Sequence, residues 1–398
     1  MDFEPSEKVK LLQSQIERFM HEYVYPAEPV AREQIEQSGD PHHEPKILAE
    51  LKGRARSLGL WNLFLPDKEH GAGLTNLEYA PLCEIMGRSP LAPRVFNCAA
   101  PDTGNMEILA EFGTPEQKKR WLDPLLAGEI RSCFSMTEPE VSGADPTGLR
   151  TRADRDGDHY VINGHKWFTS GAVGARFAIV MAVTNPNAPP HQRQSQIIVP
   201  TDTPGFHLIR AVPVMGHAGG GGHCEIRYEN CRVPVENRLG PEHGGFMIAQ
   251  ARLGPGRIHH CMRAIGVAER AFEIMCRHAN TRVAFGGPLG EKQFVQEWIA
   301  TSRMEIDQAR LLVLYAAWKM DTYGKQVARQ EISMIKVVVP NMVMHVLDRA
   351  IQCLGSLGMS DDTPVAAMWR ESRSLRIADG PDEVHKMVVA RRELKRFA

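Results

Sequence analysis

Three long stretches near the C-terminus, at about 246 to 280, 292 to 322 and 326 to 354, carry apolar residues with helical periodicity and are joined by short connections. Helices of that length bury their apolar stripes only against one another, and short connections make neighbours antiparallel. The chain therefore has to build a helical bundle here, with shorter helices at 364 to 375 and 382 to 396 completing it. Pro340, inside the third stretch, predicts a kink.

The opposite end is helical too, in shorter pieces. Val9, Leu12, Ile16, Phe19 and Tyr23 mark one face of a helix that starts at Ser6 and that Pro26 should stop. Further helices are predicted at about 44 to 58, 75 to 88 and 114 to 127, two of them opened by capping boxes, Thr75 with Glu78 and Thr114 with Gln117. Near Cys133 the texture changes. Short alternating runs surround two turn signals, Asp156-Gly157 and Asn163-Gly164, and strand-like runs follow at 177–183, 196–199, 206–209 and 224–228. The prediction is an α+β chain with a helical domain at 1-130, a barrel- or sandwich-like β domain at 131-240 and a helical bundle domain at 241-398. Gly219 to Gly222 lie between strand-like segments with no helix after them, so they read as a loop and not as a dinucleotide cradle.

Composition excludes several functions. With 47 basic and 48 acidic residues there is no basic footprint for nucleic acid. No apolar run approaches the roughly twenty residues of a membrane span, and the Met1-Asp-Phe-Glu-Pro start lacks a basic region followed by an apolar one. A cytoplasmic location is the expectation, with the mitochondrial matrix or peroxisome as alternatives in a eukaryote or after removal of a transit peptide. The 8 Cys form no Cys-x-x-Cys pair, and His42-His43 and His259-His260 have no accompanying ligand set, so no metal site is predicted.

The acidic turn Ala378-Asp379-Gly380-Pro381-Asp382-Glu383 opens the last helix and leaves Asp379 on the loop just outside it. Read alone, Asp379 is better explained by a helix cap or a solvated loop acid. The wording of this turn, together with Leu253-Gly-Pro-Gly-Arg-Ile-His-His260, resembles the acyl-CoA dehydrogenase family, and most of all the branch containing family members ten and eleven. The resemblance implies that Asp379, where most of the family has Glu, is the base that removes the proton next to a thioester. Gly380 would then lie against substrate, and Pro381 and Asp382 against the cofactor.

Two further segments carry the same resemblance. Phe134-Ser-Met-Thr-Glu-Pro is similar to the family's Thr-Glu-Pro segment, and Trp167-Phe-Thr169 stands where a Trp-x-Thr completes the flavin wall. Phe134, Met136, Thr137, Trp167 and Thr169 are thus implied to hold the FAD ring, Thr169 near its N5. An aromatic slab with hydroxyl and amide donors suits that ring. The family's Ser before the Asp of this segment is Ala144 here, in a loop one residue longer, which leaves Ser142 as its stand-in toward coenzyme A.

In the bundle, Arg282, Phe285 and Gln293 resemble an Arg-x-x-Phe-Gly and Gln set that holds the FAD pyrophosphate and adenosine. Gln352, Gly355 and Ser356 resemble a Gln-x-x-Gly-Gly turn with Ser in place of the second Gly. In the family these come from a neighbouring subunit, which implies a homodimer or homotetramer with a shared FAD site. Taken without the family, Arg282 is an ordinary surface arginine. Arg257 matches an Arg near substrate, and the preceding residues are Gly254, Pro255 and Gly256, so the alternative Glu base that some of the family carry on this helix is absent.

The reaction so implied is α,β-dehydrogenation of an acyl-CoA to the trans-2-enoyl-CoA, as in fatty acid β-oxidation. Asp379 takes the α-proton as the β-hydride passes to FAD, and an electron-transfer flavoprotein collects the electrons. An apolar pocket should raise the Asp379 pKa. The alternatives are a flavin oxidase of the same fold, either an acyl-CoA oxidase or a nitroalkane oxidase, and a catalytically silent helical-bundle interaction protein.

Overall fold

The structure is a computed structural model that describes residues 4–217 and 219–398; Met1 to Phe3 of the N-terminal reading lie outside the described residues. Helix α1 (Glu7–Phe19) is capped by the Ser6 side chain, which accepts from the Val9 N–H. The chain does not stop at Pro26. It passes through a π-turn at Met20–Val24 directly into α2 (Tyr25–Ser38). Pro26 falls in the first turn of α2, directly after the π-turn in which the Tyr25 N–H bonds to Met20 O, and that shift in pairing accommodates its missing N–H. Helices α3 (Lys46–Ser57), α4 (Asn76–Gly87), α5 (Ala92–Val95) and α6 (Asp102–Phe112) follow. Short α7 (Pro115–Gln117) and α8 (Asp123–Leu126) flank a second π-turn. Both predicted capping boxes are closed.

The middle of the chain forms one sheet of eight strands: β1 (Ser132–Ser135), β2 (Arg152–Asp156), β3 (His159–Ser170), β4 (Phe177–Val183), β5 (Gln194–Pro200), β6 (Phe206–Ala211), β7 (His223–Pro234) and β8 (Arg238–Leu239). Its order is β6-β7-β3-β2-β4-β5-β8, with β1 paired in parallel to β4. The sheet curls so that β1 also meets β3 and β7: Tyr228 donates to Ser135 Oγ, which lies 3.2 Å from Thr169 Oγ1. Asp156-Gly157 makes the β2–β3 hairpin, whereas Asn163-Gly164 sits inside β3. There the pairing with β7 shifts register, and the Asn163 side chain accepts from the Asn230 N–H. A Cβ on Gly164 would lie 2.3 Å from Thr151 Oγ1, so the glycine serves a close approach inside the strand and not a turn.

The C-terminal part is α9 (Gly245–Thr281), a small hairpin of β9 (Val283–Ala284) and β10 (Gly287–Pro288), then α10 (Gln293–Tyr323), α11 (Arg329–Leu354), α12 (Ser356–Met359), α13 (Val365–Arg373) and α14 (Asp382–Arg396). Pro340 lies inside an uninterrupted α11, and the Asn341 side chain donates to Val337 O nearby. Helix α9 is the axis of the molecule, packing on α4, α6, α10 and α11. It buries Ile258, Met262 and Ile265, each contributing about 1.5–3 kcal/mol. Reciprocal glycines set its crossing with α4. A Cβ on Gly87 would lie 2.2 Å from Arg263 O, and one on Gly266 would lie 1.9 Å from Glu84 O. Among the described residues no helix is long and apolar enough to cross a membrane.

Candidate active site

The turn between α13 and α14 is built by its strained backbone and by cations that grip its carbonyls. Asp379 is left-handed, with φ 57°, a conformation Asp tolerates better than most residues, and Gly380 follows at φ 103°. A Cβ on Gly380 would press to 2.8 Å from His385 Nε2, so only glycine fits this close approach. Lys336 of α11, fully buried, donates to Leu375 O and Ala378 O at 2.8 and 2.9 Å. Arg257 of α9 donates from Nε to Asp379 O at 2.9 Å, and the His385 ring of α14 lies 3.2 Å from the same oxygen. Three helices thus fix the backbone and leave the carboxylate recessed, its side chain 22% exposed.

The surroundings of that carboxylate are not apolar. Burial alone would push its pKa up, but His260, Lys336, Arg252 and Arg257 outweigh burial and hold it below the ordinary value. The expected upward shift is therefore corrected, because the wall that the sequence suggested was hydrophobic contains buried cations. Gly256 of α9 faces the same point: a Cβ there would lie 4.0 Å from Asp379 Oδ2. His260 Nε2 stands 3.4 Å from that oxygen. Burial and Arg263 push the His260 pKa down to about 3, so the contact involves a neutral ring and is not an ion pair.

The two segments expected to line a flavin meet around β1 and β3. Trp167 N donates to Thr137 O at 3.0 Å, joining the two segments. Buried Lys166 donates to Met136 O and to Glu138 Oε1 at 2.7 and 2.9 Å, while the Glu138 carboxylate also takes the Arg150 and Thr151 N–H groups. Phe134 lies under the Arg252 guanidinium, 4.2 Å from its ring centroid. The loop beyond folds back over Thr137, since a Cβ on Gly143 would lie 2.4 Å from Thr137 Cγ2. Thr169 is fully buried with its hydroxyl toward Ser135, facing the sheet interior, while Trp167 is only half-buried. Ser142 is exposed.

Two expected positions behave differently from the rest. Asp382 is buried, and its Oδ2 accepts from Arg376 Nε and Asn341 Nδ2 at 2.9 and 3.0 Å. One oxygen of this carboxylate is engaged by its own chain, while Oδ1 is buried with no hydrogen-bond partner. Pro381 is the residue preceding α14 and presents no donor.

The remaining set does not reach this cleft. Arg282, Gln293, Gln352, Gly355 and Ser356 are exposed, and Phe285, at φ 50° in the turn of the β9–β10 hairpin, is 97% exposed. Arg282 ends α9, 25 residues beyond Arg257 on the same helix. At about 1.5 Å rise per residue the two are roughly 37 Å apart, more than one dinucleotide spans.

Lys336, Arg252, His260, Lys166 and Glu138 were not singled out from the sequence. Lys336 had a signal, a lone cation in the apolar run Ile335-Lys-Val-Val-Val339; so had Glu138, inside the Thr-Glu-Pro core. His260 had none, because its role depends on a turn 119 positions away in sequence, from His260 to Asp379.

Profiles of three acyl-CoA dehydrogenase domains match the chain: the N-terminal domain over residues 6–129, the middle domain over 133–231 and the C-terminal domain over 243–394. A Mycobacterium tuberculosis protein named "Probable acyl-CoA dehydrogenase FadE2" is 54% identical, covering 100% of this chain and 98% of the relative. Mouse acyl-CoA dehydrogenase family member 10 is 51% identical over 98% of this chain, which spans only 37% of that longer relative. A solved structure of a candidate acyl-CoA dehydrogenase from Mycobacterium abscessus superposes with a TM-score of 0.96 at 48% identity, covering 99% of this chain and 100% of that one. Butyryl-CoA dehydrogenase from Megasphaera elsdenii gives 0.85 at 28%, covering 99% and 100%. With the domain order helical, β, helical and full-length identity of this level, the chain belongs to the acyl-CoA dehydrogenase family of flavoprotein oxidoreductases.

Proposed function

We propose that the protein is an FAD-dependent acyl-CoA dehydrogenase that converts an acyl-CoA thioester to the trans-2-enoyl-CoA and passes the electrons to an electron-transfer flavoprotein. The observation that carries this reading is the carboxylate of Asp379, recessed on a turn whose carbonyls are gripped by Lys336 and Arg257. Its lowered pKa keeps it ionised and ready to accept a proton throughout the neutral range. An acyl-CoA that covers the cleft removes water from the carboxylate and raises its basicity, so base strength appears when substrate is in place. Arg257 acts on substrate through the turn it anchors, and Gly380 leaves room for the thioester. Ser142 is the hydroxyl offered to coenzyme A.

The donors present suit FAD: the Thr137 hydroxyl and the half-buried Trp167 indole for its ring, and the exposed Arg282 guanidinium with the Gln293 and Gln352 amides for a diphosphate and adenosine. FAD, when bound, supplies the hydride acceptor. The separation of Arg257 from Arg282 supports a homo-oligomer in which one chain's 282–293 and 352–356 segments complete the site of another. The chain divides for this purpose into helical 1-130, β 131-240 and helical 241-398.

The test is anaerobic titration of the purified flavoprotein with a panel of acyl-CoAs, followed by oxygen or an electron-transfer flavoprotein. Flavin bleaching, with reoxidation by the acceptor protein and sluggish reaction with oxygen, is expected. Rapid hydrogen peroxide formation would move the reading to an oxidase, and no bleaching by any acyl-CoA would overturn it.

A further inference from the structure

The contact between His260 and Asp379 has a defined direction. Arg263 Nη2 lies 3.1 Å from His260 Nδ1, and a guanidinium can only donate, so Nδ1 accepts and the ring proton sits on Nε2. Nε2–H then faces Asp379 Oδ2 at 3.4 Å, just beyond a well-formed hydrogen bond. Contacts of this kind tighten when substrate closes a site. Arg263 is itself placed by the close α4–α9 crossing, where Gly87 admits its backbone, and its Nη1 reaches Cys98 O at 3.5 Å. We propose that His260 is a positioning residue for the base: its Nε2–H holds Asp379 Oδ2, so that Oδ1 is the oxygen left to meet the α-proton.

The proposal rests on Asp379 being the base, and it gives the shorter acid a device for fixing its orientation. The backbone clamps of Lys336 and Arg257 fix where the turn sits but leave the side-chain torsion free. His260 is the neighbour of the carboxylate whose imidazole offers a single directed proton. The charged and titratable groups around the pair are Arg252, Arg257 and Arg263 on α9, Lys336 on α11, and His385 and Asp382 near the start of α14. Burial lowers the pKa of Arg252, Arg257 and Lys336, and it keeps His260 and His385 neutral in the neutral range.

The experiment measures flavin reduction by saturating acyl-CoA, anaerobically and as a function of pH, in FAD-loaded wild type, His260→Leu and His260→Gln. Removing a donor from a carboxylate raises its pKa, so His260→Leu should move the acid limb of the profile upward by about one pH unit. It should also slow reduction about tenfold with FAD content unchanged. His260→Gln, which returns an N–H near the same place, should restore both. An unmoved acid limb and rate in an FAD-loaded Leu variant, or a Gln variant that behaves like Leu, would overturn the proposal. If the Leu variant does not retain FAD, His260→Asn, with a donor of shorter reach, takes its place and should show the same shift. Asp379→Asn run alongside separates the two claims. If it is inert while the His260 profile is unmoved, only the His260 role fails; if it reduces flavin normally, the base assignment fails first.

Discussion

The turn around Asp379 and the segments around Arg282 are halves of one proposed site, and the protein finishes them to different degrees. At the turn, carbonyls from Leu375 to Asp379 accept from side chains of α9 and α11, and the carboxylate is enclosed by charged neighbours. At the end of α9, Arg282, Phe285, Gln293 and Phe294 stand in solvent, Phe294 being 80% exposed. Such a cluster of exposed aromatics is costly for a chain that stays alone. Under the proposed function, the difference assigns reaction geometry to one chain and cofactor retention to assembly.

The comparison breaks most visibly at Arg282. Arg282→Ala should lose bound FAD and weaken the oligomer together while the fold stays intact, as measured by flavin absorbance after gel filtration and by sedimentation. Wild-type FAD affinity in a dilute monomer would show that each chain completes its own site. At the other half, Lys336→Met should leave FAD and assembly unchanged. It orphans two carbonyls, so stability should fall by about 1–3 kcal/mol in urea unfolding, and flavin reduction should slow as the turn loosens.

The smallest effect is a pH dependence of stability. Burial lowers His259 to about 3 and His385 to about 4. Both folded values lie below the ordinary unfolded value of about 6.5, so the unfolded chain binds more protons between them. Their contribution is complete above about pH 6.5 and is lost as pH falls toward the folded values, at up to about 1.4 kcal/mol per histidine per pH unit. Urea midpoints at pH 7.5 and 5.5 should differ accordingly, and His259→Leu should flatten the difference.

The long periodic helices, the two capping boxes and the hairpin at Asp156-Gly157 were legible because their signals are local. Helix α6 escaped because it begins after Pro101 with no side-chain cap, and α2 because Pro26 reads as a stop unless the preceding π-turn is known. Asn163-Gly164 misled because the close approach of Thr151 uses the same glycine that a turn would. In the site, Asp379 was singled out by the family resemblance of its turn and not by the turn read alone. The neighbours that set its pKa were not, since the cations Arg252 and Lys336 and the neutral ring of His260 come from helices that the sequence cannot orient toward residue 379.

The central claim is that Asp379 removes the α-proton, and the most direct measurement is anaerobic single-turnover flavin reduction by acyl-CoA in FAD-loaded Asp379→Asn and Asp379→Glu. The Asn variant keeps the shape but cannot accept the proton. Its rate should fall by about 10²–10⁴-fold, with FAD content and acyl-CoA binding preserved, while the Glu variant retains measurable reduction. Near-normal reduction in the Asn variant would show that another group takes the proton and would contradict the account.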